Sequence, residues 1–398
     1  MISKRLNQIQ ESLTFKITAE AKAMKNQGID IIDLSVGEPD FPTPENIKKA
    51  GIKAIEDNFT KYTQSDGIPE LKEAIINKFQ YDNGLTYSKD EILISSGAKN
   101  SLYNFIHTII NEGDEVIVPS PYWVTYPQVV CLAGAKAIIA STNIEDGFIL
   151  KPEQLKSVIS PKTKAIILNN PTNPTGAAYQ KNELEPLAEI ILENDIYVLS
   201  DEIYEKLVYD DFKFFSFASL GKEIKKKTVT INGVSKSFAM TGWRIGYAAG
   251  PRNIIKGMAK IQSHSTSNAC SISQKASVEA LNGPKNKVSE MASEFQRRRN
   301  YMLKRLETIP AISFSKPKGA FYIFPDCSFY YKKEFNNTPI QNSYNLAYYL
   351  LKEAKVAVVP GEAFGADAFL RISYATSMEN LEKGMDRIIE ALSKLKTT

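Results

Sequence analysis

The stretch KAIILNNPTNPTGAAYQKNELEPLAEIILENDIYVLS, residues 164–200, decides the fold of this chain. Its two ends, 164–168 and 196–200, are short and nearly apolar runs, a pattern typical of strands that are covered on both faces. Residues 182–193 between them have the longer amphipathic pattern of a helix. A strand, a helix and a second strand in this order predict a parallel βαβ unit.

The same alternation runs through the middle of the chain. Short apolar runs are separated by longer amphipathic stretches, such as residues 100–110 and 152–158. This pattern predicts an α/β fold in which a mostly parallel sheet is covered by helices on both faces. The remaining candidate strands are residues 91–95, 115–119, 136–140, 228–231 and 244–248.

Both ends of the chain have a different pattern, which predicts a smaller α+β domain built from both termini. Residues 14–27 form one amphipathic helix that Gly28 ends, and residues 286–306 form a long charged helix. Residues 329–344 are polar and aromatic with no clear period, so we predict a loop or insertion there. The other elements expected in this domain are the strand-like residues 320–324 and 356–359 and the helix-like residues 344–354.

The composition is that of an ordinary globular protein. The 398 residues suit about two or three domains. Hydrophobic residues make up 43% and charged residues 24%, which excludes a wholly disordered chain. The net charge is only +4, and we interpret the basic runs 225–227 and 297–299 as solvated surface. No nucleic-acid partner is therefore expected.

The rare residue types and the first residues bear on the kind of site and on location. His107 and His264 stand in no metal-binding spacing, so no metal site is expected. Three cysteines cannot form a disulfide framework, which favours a reducing compartment. The start MISKRLNQIQ lacks the apolar core of a signal peptide, and no 18-residue apolar stretch could span a membrane. We therefore expect a cytoplasmic protein.

Two segments bring ionisable residues to the ends of predicted strands. In SKSFAMTGWRIGY, residues 235–247, Lys236 stands among small residues directly after a strand. It is either an exposed turn lysine or a desolvated amine with a lowered pKa that can attack an aldehyde. In SDEIY, residues 200–204, Asp201 ends an apolar strand. It is either a helix cap or satisfied carboxylate, or the counter-ion of a buried protonated nitrogen.

Two further segments have the pattern of ligand-binding turns. Residues 168–176, LNNPTNPTG, predict a turn at the carboxyl end of a strand, where open α/β sheets bind ligands. Residues 95–99, SSGAK, lead from a strand into a helix whose free amides would bind a phosphate, without forming a Walker A loop. A lysine for an aldehyde, a carboxylate for a pyridine nitrogen and a phosphate cradle together indicate pyridoxal 5′-phosphate (PLP) as the cofactor.

Five motifs follow one another along the chain: VGEPDF (36–41), NPTG (173–176), SDEIYE (200–205), SKSFAMTGWRIGY (235–247) and LRISYA (370–375). In these the chain resembles the class I/II PLP-dependent aminotransferases, and it is most similar to the bacterial aspartate aminotransferases of subgroup Ib. The resemblance implies the type I fold of PLP-dependent transferases. The domains expected are an N-terminal arm and part of a small domain (1–45), a large PLP-binding domain (46–285) and the rest of the small domain (286–398).

The resemblance implies the catalytic roles of a few residues. Lys236 would attach to the cofactor's aldehyde and would then move the proton of the substrate's Cα. Asp201 would pair with the protonated pyridine nitrogen and keep the ring electron-withdrawing. Tyr204 and Asn173 would hydrogen-bond the ring oxygen O3′.

The resemblance also implies how the cofactor is held. Trp123 would stack on the ring beside the substrate, whereas the residues alone favour an ordinary core aromatic. Tyr62 would reach the phosphate in the neighbouring subunit, so a homodimer with shared active sites is expected. The phosphate would be held by Ser235, Arg244 and the backbone amides of Gly97 and Ala98.

The substrate contacts follow from the same resemblance. Arg371 would bind the α-carboxylate through its two-pronged guanidinium, with Asn173 and the backbone of Gly37 completing that site. Lys99 and Thr14 would lie near the distal carboxylate of a dicarboxylic substrate. From the residues alone, Lys99 could equally be a solvated lysine in the first turn of a helix.

These roles predict a transaminase that converts L-aspartate and 2-oxoglutarate to oxaloacetate and L-glutamate. The alternatives are an aminotransferase with prephenate, aromatic or alanine specificity, and a PLP-dependent lyase or synthase. A ligand-sensing regulator without enzyme activity is disfavoured, because such a protein would lack Lys236 or Asp201 and both are present.

Overall fold

The computed structural model of the chain describes residue 9 and residues 13–397. Helices alternate with strands through its middle, and the longest helix follows the central sheet in the sequence. The helices are α1 (Leu13–Asn26), α2 (Glu45–Glu56), α3 (Pro69–Asn83), α4 (Ala98–Ile109), α5 (Thr125–Leu132), α6 (Pro152–Val158), α7 (Lys181–Glu193), α8 (Lys222–Lys227), α9 (Arg252–Ser263), α10 (Ser271–Asn282), α11 (Asn286–Leu306), α12 (Ser343–Tyr349) and α13 (Met378–Ser393).

The strands form one large sheet and several small ones. They are β1 (Ile32–Asp33), β2 (Ile92–Ser95), β3 (Glu115–Ser120), β4 (Lys136–Ser141), β5 (Thr163–Asn169), β6 (Tyr197–Asp201), β7 (Thr228–Gly233), β8 (Gly246–Ala249), β9 (Tyr322–Ile323), β10 (Lys333–Phe335), β11 (Thr338–Ile340), β12 (Val356–Ala357), β13 (Val359–Pro360), β14 (Leu370–Ser373) and β15 (Lys396–Thr397).

Seven strands form the central sheet, in the order β2-β8-β7-β6-β5-β3-β4. β8 is antiparallel to both of its neighbours, and the other adjacent strands are parallel. Every strand predicted between residues 91 and 248 belongs to this sheet, so the α/β fold with a mostly parallel sheet is confirmed. The last of them begins at Gly246 instead of residue 244, because the backbone of Arg244 is left-handed (φ 56°).

The central sheet is buried on both faces, because successive residues of a strand point to opposite sides. In β5, Ile166 belongs to a core with Leu187 of α7 on one face. The next residue, Ile167, belongs to a second core with Phe105 of α4 and Met258 of α9 on the other face. Burial on both sides explains why these strands are continuous apolar runs in the sequence.

A further core joins the two ends of the chain. It combines apolar residues from 17–34 with residues from 291–395. Within it β1 pairs in parallel with β12, so that Ile32 lies opposite Val356. Tyr204, which follows β6, also belongs to this core, so the core reaches the edge of the central sheet.

The prediction of a loop or insertion at residues 329–344 was wrong for the central part, which forms two short strands. β10 and β11 form an antiparallel hairpin there, and β10 also pairs with β15. The turn is formed by Asn336 and Asn337, whose φ angles of 48° and 61° are left-handed, a conformation that asparagine tolerates. Strands of three residues are too short to show alternation, so only the two asparagines indicated the hairpin in the sequence.

Two neighbouring elements are shorter than the sequence predicts. The helix expected over residues 344–354 ends at Tyr349 and continues as a π-helical turn, Leu350–Ala354. The strand expected over residues 356–359 is divided into β12 and β13, which pair with β1 and β14 respectively. Only Val358 separates the two strands, so one apolar run in the sequence serves two small sheets.

Candidate active site

An open cleft of about 1240 Å³ lies between the carboxyl ends of β5 and β6 and the strand β14. Parallel strands that end at one edge of a sheet bring the residues after them together, and this edge is where open α/β folds bind ligands. The residues predicted from the sequence that line this cleft are Gly37, Ala98, Lys99, Trp123, Asn173, Asp201, Tyr204, Ser235, Lys236, Arg244 and Arg371.

Three other predicted site residues are not part of that lining. Gly97 lies directly behind it, because a Cβ atom added there would stand 2.4 Å from Nη2 of Arg244. Tyr62 is 92% exposed in the single chain. Thr14 is in the first turn of α1, and its side chain lies outside the part of the chain that the structure describes.

Lys236 lies in the turn that follows β7 and points at the N-terminal part of the chain. Its Nζ donates a hydrogen bond to the carbonyl oxygen of Gly37 at 2.6 Å. Burial lowers the pKa of Lys236 to about 8, while the charge of Glu38 acts in the opposite direction. A large fraction of this amine is therefore neutral near pH 8, and the neutral amine is the nucleophilic form.

Asp201 is the last residue of β6 and is buried. Its Oδ2 accepts a hydrogen bond of 2.8 Å from the hydroxyl of Tyr126, and its Oδ1 accepts one of 3.2 Å from the backbone N–H of Ile203. Burial raises the pKa of Asp201 to about 6, although the Tyr126 hydrogen bond opposes the shift. Within residues 13–397 no basic side chain lies within ion-pair distance of Asp201, and the charge of Lys236 lowers its pKa only from a longer distance.

An anion-binding corner forms where β2 leads into α4. Gly97 has φ 86°, a conformation that favours glycine, and its own N–H donates to the carbonyl oxygen of Ser95 at 2.7 Å. α4 begins at the next residue, and the N–H groups of Ala98 and Lys99 in its first turn have no partner within the helix. Gly246 of β8 also packs closely here, because a Cβ atom on it would stand 2.2 Å from the amide nitrogen of Ala98. Arg244 and the buried Ser235 line the cleft beside this helix start. Free amides, a guanidinium and a hydroxyl together suit a phosphate.

Lys99 and Trp123 form the neighbouring part of the cleft. Nζ of Lys99 lies 4.8 Å from the centroid of the Trp123 ring. Burial lowers the pKa of Lys99, and the charge of Arg244 adds to the shift. Within residues 13–397 Lys99 forms no ion pair with a carboxylate, so a cation that is exposed to the cleft has no charged partner there.

Arg371 lies on β14 across the cleft and is buried. Its Nη1 donates to Oδ1 of Asn173 at 3.1 Å, and its Nη2 donates to the carbonyl oxygen of Ser35 at 2.6 Å. Its guanidinium carbon lies 4.5 Å from the ring centroid of Tyr322 and 5.1 Å from that of Phe364. Among the described residues, Nε of Arg371 has no hydrogen-bond partner, so part of this guanidinium is free for a carboxylate.

Tyr204 and Tyr322 bring their hydroxyl groups together in the middle of the cleft. The two oxygens are 3.0 Å apart, and either one can be the donor. Burial raises the pKa of both phenols, so both keep their protons at neutral pH. Tyr322 was not predicted as a site residue.

Three residues at the cleft were not predicted from the sequence, two that contribute a side chain and one that contributes a backbone carbonyl. Tyr126 stands three positions after the predicted site residue Trp123, but Trp123 precedes α5, so no helical spacing linked the two residues. Tyr322 lies in the apolar run AFYIF, residues 320–324, which indicates only a core strand. Ser35 contributes a backbone carbonyl, for which no residue type in the sequence is diagnostic.

Two unsatisfied groups in the cleft decide whether PLP fits the residues present. The buried carboxylate of Asp201 lacks a cation, and the buried Nε of Arg371 lacks an acceptor, among the described residues. PLP with an amino acid supplies both, a protonated ring nitrogen and a carboxylate, and its phosphate suits the corner at Gly97. With Lys236 between these points, the fold and the cleft define a PLP-dependent enzyme that acts on amino acids.

Comparison with known proteins identifies the family. Residues 29–388 match the family of class I and II aminotransferases, so the chain belongs to that family. It is therefore an aminotransferase that depends on PLP, and the expected type I fold of such transferases is confirmed. The small molecules on which aminotransferases act are amino acids and 2-oxo acids.

Several curated and solved relatives cover nearly the whole chain. An aspartate aminotransferase of Bacillus sp. (strain YM-2) is 49% identical over 98% of each chain. A "probable aspartate/prephenate aminotransferase" of Rickettsia bellii is 48% identical over 99% of this chain and 100% of its own. The crystal structure of an aspartate aminotransferase from Rhizobium meliloti superposes with a TM-score of 0.96 over 100% of both chains, at 45% identity. The Thermus thermophilus aspartate aminotransferase with maleate gives 0.93 over 98% and 99%, at 41% identity.

The described part of the chain holds no metal-binding cluster and no membrane-spanning helix. No group of three or more His, Cys, Asp and Glu side chains there could hold a metal ion. No helix there is both long enough and apolar enough to cross a membrane. The three cysteines, Cys131, Cys270 and Cys327, are free thiols.

Proposed function

We propose that this enzyme transfers the amino group of L-aspartate to 2-oxoglutarate and so forms oxaloacetate and L-glutamate. One observation carries the proposal: two cations whose pKa values burial lowers, Lys99 and Arg371, line the same cleft as Lys236. Two cations suit a substrate with two carboxylates, since each carboxylate that leaves water needs a charged partner. The names of the Bacillus and Rhizobium relatives agree with this substrate class.

Lys236 is the residue proposed to hold PLP covalently and to move the substrate's Cα proton. When bound, PLP supplies an aldehyde for the amino group and an electron-withdrawing ring that stabilises negative charge at Cα. The lowered pKa of Lys236, about 8, keeps enough neutral amine to act as nucleophile and base. Its hydrogen bond to the carbonyl oxygen of Gly37 orients Nζ before the cofactor is attached.

Asp201, Tyr204 and Asn173 are proposed to set the charge of the cofactor ring. The buried carboxylate of Asp201 would hold the proton on the ring nitrogen, because an ion pair out of water strongly favours both charged forms. Tyr204 and Asn173 would donate hydrogen bonds to the ring oxygen. Asn173 is already oriented, since its backbone N–H donates to Oδ1 of Asn169 at 2.8 Å.

The remaining residues are proposed to hold PLP or the substrate without taking part in the chemistry. Trp123 would stack on the ring, while its own edge-to-face contact with Tyr126, at 5.4 Å between centroids, fixes its plane. Arg371 and the backbone at Gly37 would orient the α-carboxylate of the substrate. The phosphate would be bound by Ser235, Arg244 and the amides of Gly97 and Ala98.

Dicarboxylate selectivity tests the proposed reaction. Lys99→Ala should lower kcat/KM for aspartate and glutamate about 10- to 150-fold, the range expected for a lost charged hydrogen bond. Alanine and phenylalanine should change much less, because they have no distal carboxylate. Thr14→Ala should show the same selectivity at a smaller size, since a neutral hydroxyl contributes less.

A surface lysine provides the control for Lys99→Ala. Lys260→Ala removes an exposed lysine and should leave every donor unchanged. A uniform loss over acidic and apolar donors in Lys99→Ala would mean that Lys99 supports the cofactor instead. A wild-type enzyme that prefers apolar donors would refute aspartate as the substrate while leaving the aminotransferase intact.

Prephenate is a second candidate acceptor. It also carries two carboxylates, so it can use the same pair of cations, and relatives from Rickettsia are named for both substrates. The cleft of about 1240 Å³ has room for its ring. A panel of donors against acceptors on the purified protein, with prephenate beside 2-oxoglutarate and oxaloacetate, decides between the two assignments.

We propose a homodimer in which Tyr62 serves the active site of the partner subunit. Tyr62 is 92% exposed, and Ile52 and Ile55 on α2 are each 54% exposed, a pattern suited to a contact surface. Tyr62→Phe should weaken PLP affinity about 2- to 10-fold in the dimer, as for one lost hydrogen bond. Tyr81→Phe, at 86% exposure, is the matched control. A fully active monomer by light scattering would refute the shared site.

The domain division and the location are part of the same proposal. Residues 46–285 would hold PLP, and residues 1–45 and 286–398 would form the smaller domain, a division that the core shared by both ends supports. The three free cysteines suit a cytoplasmic protein. Fractionation of the source cells with an antibody to the chain would test this location.

A further inference from the structure

Tyr322 lines the cleft, and none of the roles proposed above includes it. It begins β9 and pairs with Ser373 of β14, the strand that also carries Arg371. The side chain is fully buried by its surroundings, yet it forms part of the cleft lining. A buried tyrosine normally keeps a partner for its hydroxyl, so the identity of that partner is informative.

Three functional groups meet this one side chain. The Tyr322 hydroxyl oxygen is 3.0 Å from that of Tyr204. Its ring lies under the guanidinium of Arg371, at 4.5 Å from centroid to Cζ. A Cβ atom on Gly37 would stand 3.2 Å from the same hydroxyl, so the backbone of Gly37 packs directly on it. Tyr322 thus contacts a proposed cofactor residue and both parts of the proposed carboxylate site.

The direction of the hydrogen bond between the two phenols follows from counting donors. Each phenol has a single O–H group. If Tyr204 donates its proton to the ring oxygen of the cofactor, as proposed above, the 3.0 Å contact must be donated by Tyr322. A hydrogen bond received by Tyr204 polarises its own O–H and makes it a stronger donor.

We infer that Tyr322 is a positioning residue with two separable effects, its hydroxyl strengthening Tyr204 as a donor to the cofactor and its ring orienting Arg371 for the substrate carboxylate. The inference rests on the proposed function. The guanidinium carbon of Arg371 lies 4.5 Å from the ring centroid, so the ring holds the group in place, while its Nε has no acceptor among the described residues and is available to a carboxylate.

Two substitutions separate the two effects in the holoenzyme. Tyr322→Phe keeps the ring and removes the hydroxyl. A weaker donor at the ring oxygen stabilises its anionic form less, so the pH midpoint of the bound cofactor's visible absorption should rise by about 0.4–1 unit. The affinity for maleate, an unreactive dicarboxylate, should stay within about twofold when it is measured below both midpoints.

Tyr322→Leu removes the ring as well. Tyr322→Leu should give the same shift of the absorption midpoint as Tyr322→Phe. It should also weaken maleate binding about fivefold, which corresponds to the loss of one cation–π contact of intermediate strength. Tyr322→Met fills the space without a ring and replaces the leucine variant if that one does not fold. Tyr330→Phe is the matched control, because it removes a buried hydroxyl that donates to Pro310 at 3.0 Å, and it should move neither quantity.

The outcomes that overturn the inference differ from those that overturn the proposed function. A Tyr322→Phe midpoint equal to the wild-type midpoint refutes the effect through Tyr204. Equal maleate affinities in the Phe variant and the Leu or Met variant refute the effect through Arg371. A wild-type protein with no pH-dependent cofactor absorption refutes instead the covalent attachment at Lys236, on which the proposed function depends.

Discussion

The two sides of the cleft are held in different ways. On one side, Asp201 is the last residue of β6, and Lys236 and Gly97 lie in the turns after β7 and β2, so strands of the central sheet place all three. On the other side, Arg371 lies on a strand of four residues and is held by Asn173, by the backbone of Ser35 and by the ring of Tyr322.

The difference separates the tasks of the two sides. The sheet side is fixed by a ladder of backbone hydrogen bonds and by a core on each face, so its geometry does not depend on any one side chain. The arginine side is fixed by side-chain contacts, among them hydrogen bonds from Arg371 to Asn173 and Ser35, which lie 198 and 336 positions away in sequence. Substitution of Asp201 or Lys236 on the sheet side should therefore affect the cofactor, whereas substitution of Arg371 should affect the substrate.

The largest effect is expected from Lys236→Ala on the sheet side. It should abolish turnover by at least about 10⁴-fold, because both the covalent attachment and the proton transfer are lost. Borohydride treatment should fix PLP to Lys236 in the wild type, and peptide mapping should find the adduct there. The variant should still bind PLP without a covalent bond, and Lys260→Ala should behave as the wild type. An adduct on any other lysine would contradict the assignment.

The lowered pKa of Lys236 adds a pH dependence to the same experiment. Burial disfavours the ammonium form, so the neutral amine becomes the major form once the pH rises through about 8. The rate of cofactor attachment to the cofactor-free protein should therefore increase with pH and level off above about 8. A rate that keeps increasing beyond pH 10 would indicate an ordinary, solvated lysine.

Asp201→Ala should have the next largest effect. Losing the partner of a buried positive charge costs about 3–5 kcal/mol, so kcat/KM should fall about 1000-fold for every donor alike. Asp201→Glu keeps the charge and should lose much less. The loss should be uniform over aspartate, alanine and phenylalanine, since the cofactor is affected and not the substrate. Equal losses in both variants would mean that the carboxylate is only structural.

Arg371→Lys tests the opposite side of the cleft. The ammonium cannot pair with a carboxylate at two points, so kcat/KM should fall about 100-fold, mostly through KM. The absorption and affinity of bound PLP should stay as in the wild type. Arg387→Lys, which alters a surface ion pair with Asp30, is the control. Loss of PLP from Arg371→Lys would show that the arginine side also holds the cofactor, and it would contradict the separation of the two tasks.

The fold was predictable because its information is local. Each strand of the central sheet is a short apolar run, and two-sided burial leaves that signal intact in the sequence. The hairpin at β10 and β11 was missed for the opposite reason, since its three-residue strands pair at the surface and only Asn336 and Asn337 indicate the turn. The split of one apolar run at Val358 depends on partners far away in sequence, which a local pattern does not contain.

The candidate site divides in the same way. Lys236 and Asp201 are ionisable residues at the ends of apolar strands, so the sequence alone predicted both as site residues. Both line the cleft. Tyr322 and Tyr126 reach the cleft only through packing of distant elements, and a tyrosine in an apolar run has the pattern of core. Tyr62 is a prediction that the single chain leaves untested, because its proposed partner is a second subunit.

Tyr126→Phe should have a smaller effect than the substitutions of Lys236, Asp201 and Arg371, and it is the finest test of the sheet side. It removes the hydrogen bond of 2.8 Å to Asp201, while the backbone N–H of Ile203 remains. A hydrogen bond to a charged group contributes about 1.5–3 kcal/mol, and the remaining donor favours the low end, so kcat/KM should fall about tenfold. The loss should again be equal for acidic and apolar donors.

The pH profile distinguishes this effect from simple destabilisation. The Tyr126 hydrogen bond favours the carboxylate and opposes the rise in the pKa of Asp201 that burial causes. Without it the pKa of Asp201 rises further, so activity on the acid side should be lost at a higher pH than in the wild type. Tyr179→Phe, which removes another buried hydroxyl that accepts from the backbone of Leu150, should leave the profile unchanged. If both variants move the acid limb equally, the hydrogen bond to Asp201 is not its cause, and the sheet side is held by its backbone alone.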